Sequence, residues 1–382
     1  MLARIQGRPV PTSEPEAELW FGAHPLSPSS IEVEGIEQTL DGYLRKHDTE
    51  ELGIDVVHRF GKLPFLLKVL AVEQPLSIQV HPTREQAQSG FDRERASGVV
   101  AQCPEANYHD EWPKPELLCP LTPFEALCGF RPVAELVELM GELGGECFES
   151  AATTLVRAPN GGGLREVVTH WLNANGAPRA RLYDSALEAC ARAQEGSTEC
   201  DSAVVALELA KRYPGDMGVL VALLLQHWSL SPGMGLFVPP GVMHAYLKGL
   251  AVEVMATSDN VLRGGLTSKH VDVTELLTVL NFDAAPIRPT PVEDRGPLEA
   301  AFVADCEYYR VSRIDVRPHE SYCARRRMGP EMVLCVEGRL ELVGAQNQQL
   351  GLAQGECGWI SANEDVYCVA GLGQGFRVQV GA

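Results

Sequence analysis

Along the chain, apolar and polar positions follow three successive rhythms. Up to about Phe130, short apolar runs such as PFLLKVLAV and LSIQV are broken by proline and other turn residues, a pattern that predicts strands. From Arg131 to about Trp228, segments such as RPVAELVELMGEL, LREVVTHWLNA and DSAVVALELAKRY place apolar residues three and four apart, the spacing of amphipathic helices. Strand-like runs return at Leu230. A short helical stretch, VTELLTVLNF, and the proline-dense DAAPIRPTPVEDRGP then lead into a last region of short alternating strands (YYRVSRIDV, EMVLCVEGRLELV, GFRVQV). The predicted fold is mainly β with a helical insertion. Residues 1–130 and 229–285 form one discontinuous β domain, 131–228 the α-helical insertion, and 286–382 a linker with a second β domain.

One predicted strand carries an unexpected polar line. In SIQVHP, Ser77, Gln79 and His81 occupy alternate positions and share a face, directly after a run built for burial. Taken alone, these six residues favour a hydrogen-bonded core pair, because lone core imidazoles are common and complete ligand sets are rare. The competing reading is half of a metal site. Two further segments shift the balance. In WPKPELLCP, Glu116 enters an apolar run, where a carboxylate is costly unless it is paired or bound to a cation. In GMGLFVPPGVMH, the spacing of Gly233, Pro239, Gly241 and His244 resembles the second motif of the cupin double-stranded β-helix, in which a tight turn delivers a histidine into the barrel. Two imidazoles, a carboxylate and an amide oxygen suit Zn²⁺ with room for water or substrate. The matching window in the last region, GECGWISANEDV, keeps Gly355 but has Ser361, Asn363 and Val366 where proline, glycine and histidine stood, so a metal site is expected in the first β domain only.

SIQVHP, YHDEWPKPELLCPLTPFEALCGF and PPGVMHAYLKGLAVEVMATSDNVLRGGLTSKHVD, with AELWFGAHP near the start and the closing MVLCVEG, together resemble type I mannose-6-phosphate isomerases over nearly the whole chain and in the same order. The resemblance implies two cupin-like jelly rolls with a helical domain, one Zn²⁺ per chain, and interconversion of mannose 6-phosphate and fructose 6-phosphate through a cis-enediol. It places the zinc ligands on Gln79, His81, Glu116 and His244, and active-site cations on Arg263 and Lys114. Arg263 is followed by glycines that would allow close approach of a ligand, and its planar fork suits a phosphate or an enediolate oxygen. Lys68, inside PFLLKVLAV, either snorkels to the surface or serves an anionic ligand. Asp259 and Glu253 are each candidates for proton transfer or for orienting a ligand imidazole, and the sequence does not rank them. Ser77 lines the pocket as a substrate contact, and His24 is read as structural.

The chain departs from the family in two places. Pro113 stands where relatives usually have a histidine before the lysine, and His109 is a candidate substitute if the WPKP turn folds back. An expected outer strand before Ala17 is missing, which predicts a start upstream of Met1 or another segment covering the sheet edge.

Composition narrows the partners. With 51 acidic against 32 basic side chains and a net charge of −19, a phosphate-backbone partner is disfavoured, whereas a small sugar phosphate needs only a few convergent cations. No run is long enough to span a bilayer and no signal-peptide core is present, so a cytoplasmic location is expected. The eleven scattered cysteines read as reduced, buried thiols. A monomer is compatible with the sequence, which does not set the oligomeric state. Two other functions remain open here: a cupin oxygenase using Fe²⁺, against which Gln79 counts, and a non-catalytic carbohydrate-binding double jelly roll.

Overall fold

The apolar run before SIQVHP forms a strand, Phe65–Val72, whose alternate residues serve two different cores. Leu70 and Val72 face an interior shared with Leu118, Phe124, Ala126, Tyr246 and Ala251. Leu67 and Val69 face the opposite way, into a core shared with Val311, Leu334, Phe376 and Val378 of the last region. This is a computed structural model that describes residues 1–10, 12–33, 35–101, 103–195, 201–324 and 327–382.

The organising element is the long strand His244–Ala256. Its second half pairs with Phe65–Val72 and Glu116–Pro120, and its first half with Phe124–Phe130 and, through His244, with Ile78–Val80. One strand therefore contributes to two faces that enclose the interior. Ile78 and Val80, on the far side of the polar line, pack into the core formed with the helices, so Gln79 and His81 are turned away from that core.

The helical rhythm yields Val133–Leu143, Glu146–Arg157, Gly161–Asn173, Gly176–Glu195, Asp201–Arg212 and Gly218–Leu223. Leu136, Met140 and Leu143, then Phe148, Ala151 and Leu155, bury one stripe each at the expected spacing. In the last region the long strands Glu331–Gly344 and Tyr367–Gln379 pair along their length around an interior of Ile314, Val333, Leu340, Ile360 and Val369. No helix among the described residues is long and apolar enough to cross a membrane.

Several expectations are corrected. Helix and strand each account for 31% of the described residues, so the fold is mixed and sheet-rich rather than mainly β. The first 130 residues contain helices that the strand reading overlooked, among them Ile54–Phe60 and Arg84–Ala96. The latter is started by a capping box, Thr83 accepting from Gln86 N–H and the Gln86 side chain accepting from Thr83 N–H. The helical rhythm stops at Leu223, and Leu225–Leu230 is already a strand paired with Phe124–Phe130. A third of the proline-dense linker is itself a strand, Val292–Gly296, paired with Glu299–Phe302. Cys323 and Cys368 form a disulfide between two paired strands, against the expectation of reduced thiols throughout. At the start, Glu18–Phe21 pairs with Phe65–Val72, and the short helix Leu2–Ile5 is buried in the core between the sheets.

The two sheet units repeat one another in register. In the first, Gly249 pairs with Val72 and Met255 with both Leu66 and Glu116. In the second, Gly373 pairs with Val316 and Gln379 with both Arg310 and Glu331. Counting from each glycine, Glu331 occupies the place of Glu116, and Arg377 that of Glu253.

Candidate metal centre

Glu116 opens the strand Glu116–Pro120 with its carboxylate on the interior side, and three segments converge on it. His81 follows the strand Ile78–Val80, and its Nε2 lies 3.1 Å from Glu116 Oε1. His244 begins the long strand, and its Nε2 lies 3.4 Å from Glu116 Oε2. The turn that delivers His244 depends on Gly241, whose φ of +80° disfavours any residue with a Cβ. Gly241 N–H donates to the His81 carbonyl at 2.8 Å, so the same turn fixes both histidines. His81, Glu116 and His244 are all buried and form one group of potential ligands. Gln79 is half-buried and sits across the ladder from both His244 and Arg263. Ser77, also half-buried, accepts a hydrogen bond from Gln79 Nε2 at 3.3 Å.

These side chains fit a cation. His81 Nδ1 lies 2.7 Å from the carbonyl of Asn260, so it carries the proton and Nε2 keeps its lone pair. His244 Nδ1 faces the Val242 carbonyl at 3.1 Å, with the same consequence. Burial, and then the charge of Lys114, pulls His81 down to about 4, which keeps the ring neutral near neutral pH. Two lone pairs are thus aimed at a carboxylate out of contact with water, and His81 Nε2 has no hydrogen-bond donor opposite it. That arrangement is repulsive unless a positive charge lies between the groups. Lys114 and Tyr246 compensate the carboxylate in part. The ammonium lies 3.0 Å from Oε1, and the hydroxyl donates to Oε2 at 3.0 Å.

Around this centre the structure brings most of the expected residues together. Lys114 is buried against Glu116 rather than solvated. Lys68 does not snorkel. It is buried, lies 3.3 Å from Glu18 and 3.8 Å from Glu253, and rests over the Trp20 ring. Glu253 is buried, and burial followed by the neighbouring Glu116 charge pushes it up to about 8. Asp259 behaves oppositely. Burial raises it, but the hydrogen bond and charge of His24 outweigh that and hold it below the usual carboxylate value. His24 therefore has a partner that the sequence did not reveal, its Nε2 lying 3.1 Å from Asp259 Oδ2.

Arg263 is half-buried and makes no hydrogen bond or ion pair among the described residues. Its glycines do a different job from the one expected. Gly265 lies against the backbone of Gly218, where a Cβ would come within 2.5 Å of Gly218 Cα, so it admits the helical layer rather than a ligand. His109 N–H donates to Asn260 Oδ1 at 2.7 Å, and its ring Nδ1 faces the Ala101 carbonyl. Val366 is 43% exposed, while its neighbour Tyr367 is buried with its hydroxyl on Glu331.

Residues that the sequence did not suggest are Tyr246, Asp110, Ser258 and Asn260. Tyr246 had a usable signal, since it lies two residues after His244 and shares its face. The other three join loops that are distant in sequence and carried no local pattern.

A group of buried ligands such as His81, Glu116 and His244 has the chemistry of a metal-dependent enzyme, and the cations around it suit an anionic ligand. The profile of the family described as "Phosphomannose isomerase type I, catalytic domain" matches residues 1–133. The mannose-6-phosphate isomerase of Salmonella typhimurium is 36% identical over 381 residues, covering 99% of this chain and 94% of that protein. The rat enzyme of the same name is 32% identical, covering 94% of this chain and 86% of that protein. Among solved structures, a zinc-bound mannose 6-phosphate isomerase superposes with a TM-score of 0.90 at 35% identity, covering 100% of this chain and 95% of that one. The chain belongs to the mannose-6-phosphate isomerase family.

Proposed function

We propose that this chain interconverts mannose 6-phosphate and fructose 6-phosphate through a cis-enediol, in a zinc-dependent reaction at the centre around Glu116. The observation that carries this reading is the pair of unprotonated imidazole nitrogens aimed at one buried carboxylate. His81, Glu116 and His244, with Gln79, would hold one Zn²⁺, which when bound polarises a substrate oxygen. Relatives over nearly the full chain are named isomerases, which weighs against an oxygenase or a non-catalytic sugar binder.

The protein groups divide the remaining work. Arg263, without an internal partner, binds the phosphate or a developing enediolate oxygen, and Ser77 and Lys68 line the substrate pocket. Lys114, fixed beside Glu116, adds positive charge where the enediolate forms. Asp259 and Glu253 are pushed apart in proton affinity, so near neutral pH one is ionised and the other holds a proton. On this reading Asp259 serves as the base and Glu253 as the proton donor in the transfer between C1 and C2. His109 supplies the imidazole that Pro113 removes.

We read the two sheet units as cupin-like jelly rolls, the first formed by residues 1–130 and 229–285 around the helical insertion 131–228, and the second by 286–382. The test of function is a coupled assay for fructose 6-phosphate formed from mannose 6-phosphate, run with and without a chelator. Turnover that disappears on chelation and returns with zinc is the expected result. A folded, zinc-loaded protein without turnover would overturn the isomerase reading.

A further inference from the structure

Asn260 is fully buried, yet it is the most heavily hydrogen-bonded side chain near the centre. Its Oδ1 accepts from the N–H groups of His109 at 2.7 Å and Asp110 at 3.2 Å. Its Nδ2 donates to the carbonyls of Asp110 at 2.7 Å and Trp112 at 2.8 Å, and to Asp110 Oδ1 at 3.3 Å. Its main-chain carbonyl is the group that holds His81 Nδ1. Neighbouring residues reinforce the same junction. Ser258 Oγ lies 2.9 Å from Asp110 Oδ1 and 3.0 Å from the Trp112 carbonyl, two acceptors within reach of its one proton, and Asp259 N–H donates to Asp110 Oδ2 at 3.0 Å.

Three segments of the site meet at this one residue. The loop 258–260 lies between the strand that carries His244 and the strand that carries Arg263. The segment 109–112, which the amide grips, runs directly into Lys114 and Glu116. Through its carbonyl, the same residue fixes the proton of His81 and leaves Nε2 free. An amide is the side chain that suits the junction, because it must accept from two N–H groups and donate to two carbonyls at once. Aspartate has the same shape but no donor, and would face two carbonyl oxygens and the Asp110 carboxylate.

We propose that Asn260 is a positioning residue that holds the segment bearing Lys114 and Glu116 in register with the His81 ring, and so sets the affinity of the centre for its metal. It touches neither the metal ligand atoms nor the substrate and acts through His81 and Glu116. The inference rests on the zinc reading of the site, and its main readout is metal affinity rather than turnover.

The experiment measures zinc dissociation by chelator competition, together with kcat and KM, for wild type, Asn260→Ala and Asn260→Asp. Both variants are expected to bind zinc about 10- to 100-fold more weakly, the range found when a partner that orients a metal ligand is removed. At saturating zinc, kcat is expected to fall further than KM rises. A merely structural role would lower the melting temperature of the metal-free protein and leave the affinity of the folded fraction unchanged. Wild-type zinc affinity in either folded variant overturns the proposal. If the aspartate variant does not fold, the alanine variant, which adds no buried charge, carries the test. A wild-type protein that takes up no zinc would instead overturn the reading of the site.

Discussion

Replacing Glu331 with glutamine tests the idea that the second sheet unit supplies its own cation where the first presents imidazoles. Glu331 is fully buried. Arg377 binds both of its oxygens, Nε to Oε2 and Nη2 to Oε1, each at 2.7 Å. Tyr367 donates to Oε2 at 2.7 Å, and Arg327 Nε lies 3.4 Å from Oε1. Glu331→Gln keeps the shape, removes the negative charge and leaves two guanidinium groups facing an amide in a buried site. Glu299, 3.3 Å from Arg377, is the remaining carboxylate beside it. Removing one partner of a buried ion pair costs about 3–5 kcal/mol, because the other charge is left uncompensated. At about 2 cal/mol/K per residue, unfolding a chain of 382 residues carries an entropy of roughly 0.8 kcal/mol/K, so the melting temperature should fall by about 4–6 °C if the chain unfolds as a unit. Arg377→Met should cost less, since Arg327 and Tyr367 still face Glu331. Denaturant unfolding monitored by tryptophan fluorescence gives the stability, and zinc content is read on the same samples. Glu331→Gln within about 1 kcal/mol of wild type, or a cost smaller than that of Arg377→Met, would refute the reasoning.

Three further outcomes are expected. In metal-free protein, Glu253 has a carboxyl near 4.5 when unfolded and about 8 when folded, so between these values unfolding releases a proton; its contribution is intact below the lower value and lost as pH rises to the upper one. Stability of wild type relative to Glu253→Gln should therefore decline across that window, with a slope of at most about 1.4 kcal/mol per pH unit, and parallel curves would exclude the shift. Arg263→Gln should lower kcat/KM by about 10- to 150-fold, the equivalent of a charge-assisted hydrogen bond, at unchanged zinc content; an effect below about threefold would remove Arg263 from the substrate site. His109→Ala should lower kcat by about 100-fold or more if this ring carries acid–base work, and unchanged turnover would end that role.

The ligand candidates were legible because each carries a local signal. Gln79 and His81 stand out through the period of two in a strand, Glu116 through the cost of a charge in an apolar run, and His244 through a turn that requires glycine. Asn260 and Asp110 were not legible. Their hydrogen bonds join residues about 150 positions apart, and a short loop such as SDN has no periodicity to read. Short helices such as Ile54–Phe60 were missed for a related reason, because a helix of 7 residues is held by tertiary packing more than by propensity. Cys323 and Cys368 lie 45 residues apart, and only strand pairing brings them together.

The repeat in register places a buried carboxylate at the same point of each sheet unit, in different company. Glu116 and Glu331 hold the same place on paired strands, and each accepts from a tyrosine on the long strand. A buried carboxylate must be matched by positive charge, and the two units meet that need differently. At Glu331 the planar fork of Arg377 takes both oxygens, which occupies the directions from which an imidazole would approach. At Glu116 the cation is a lysine, a point charge that engages one oxygen and leaves the remaining directions to His81 and His244. Arginine takes the place of Glu253 in the second unit. Its shape, as much as its charge, lets it take both oxygens of Glu331. By the same reasoning, a bidentate guanidinium introduced beside Glu116 would displace zinc while leaving the carboxylate paired.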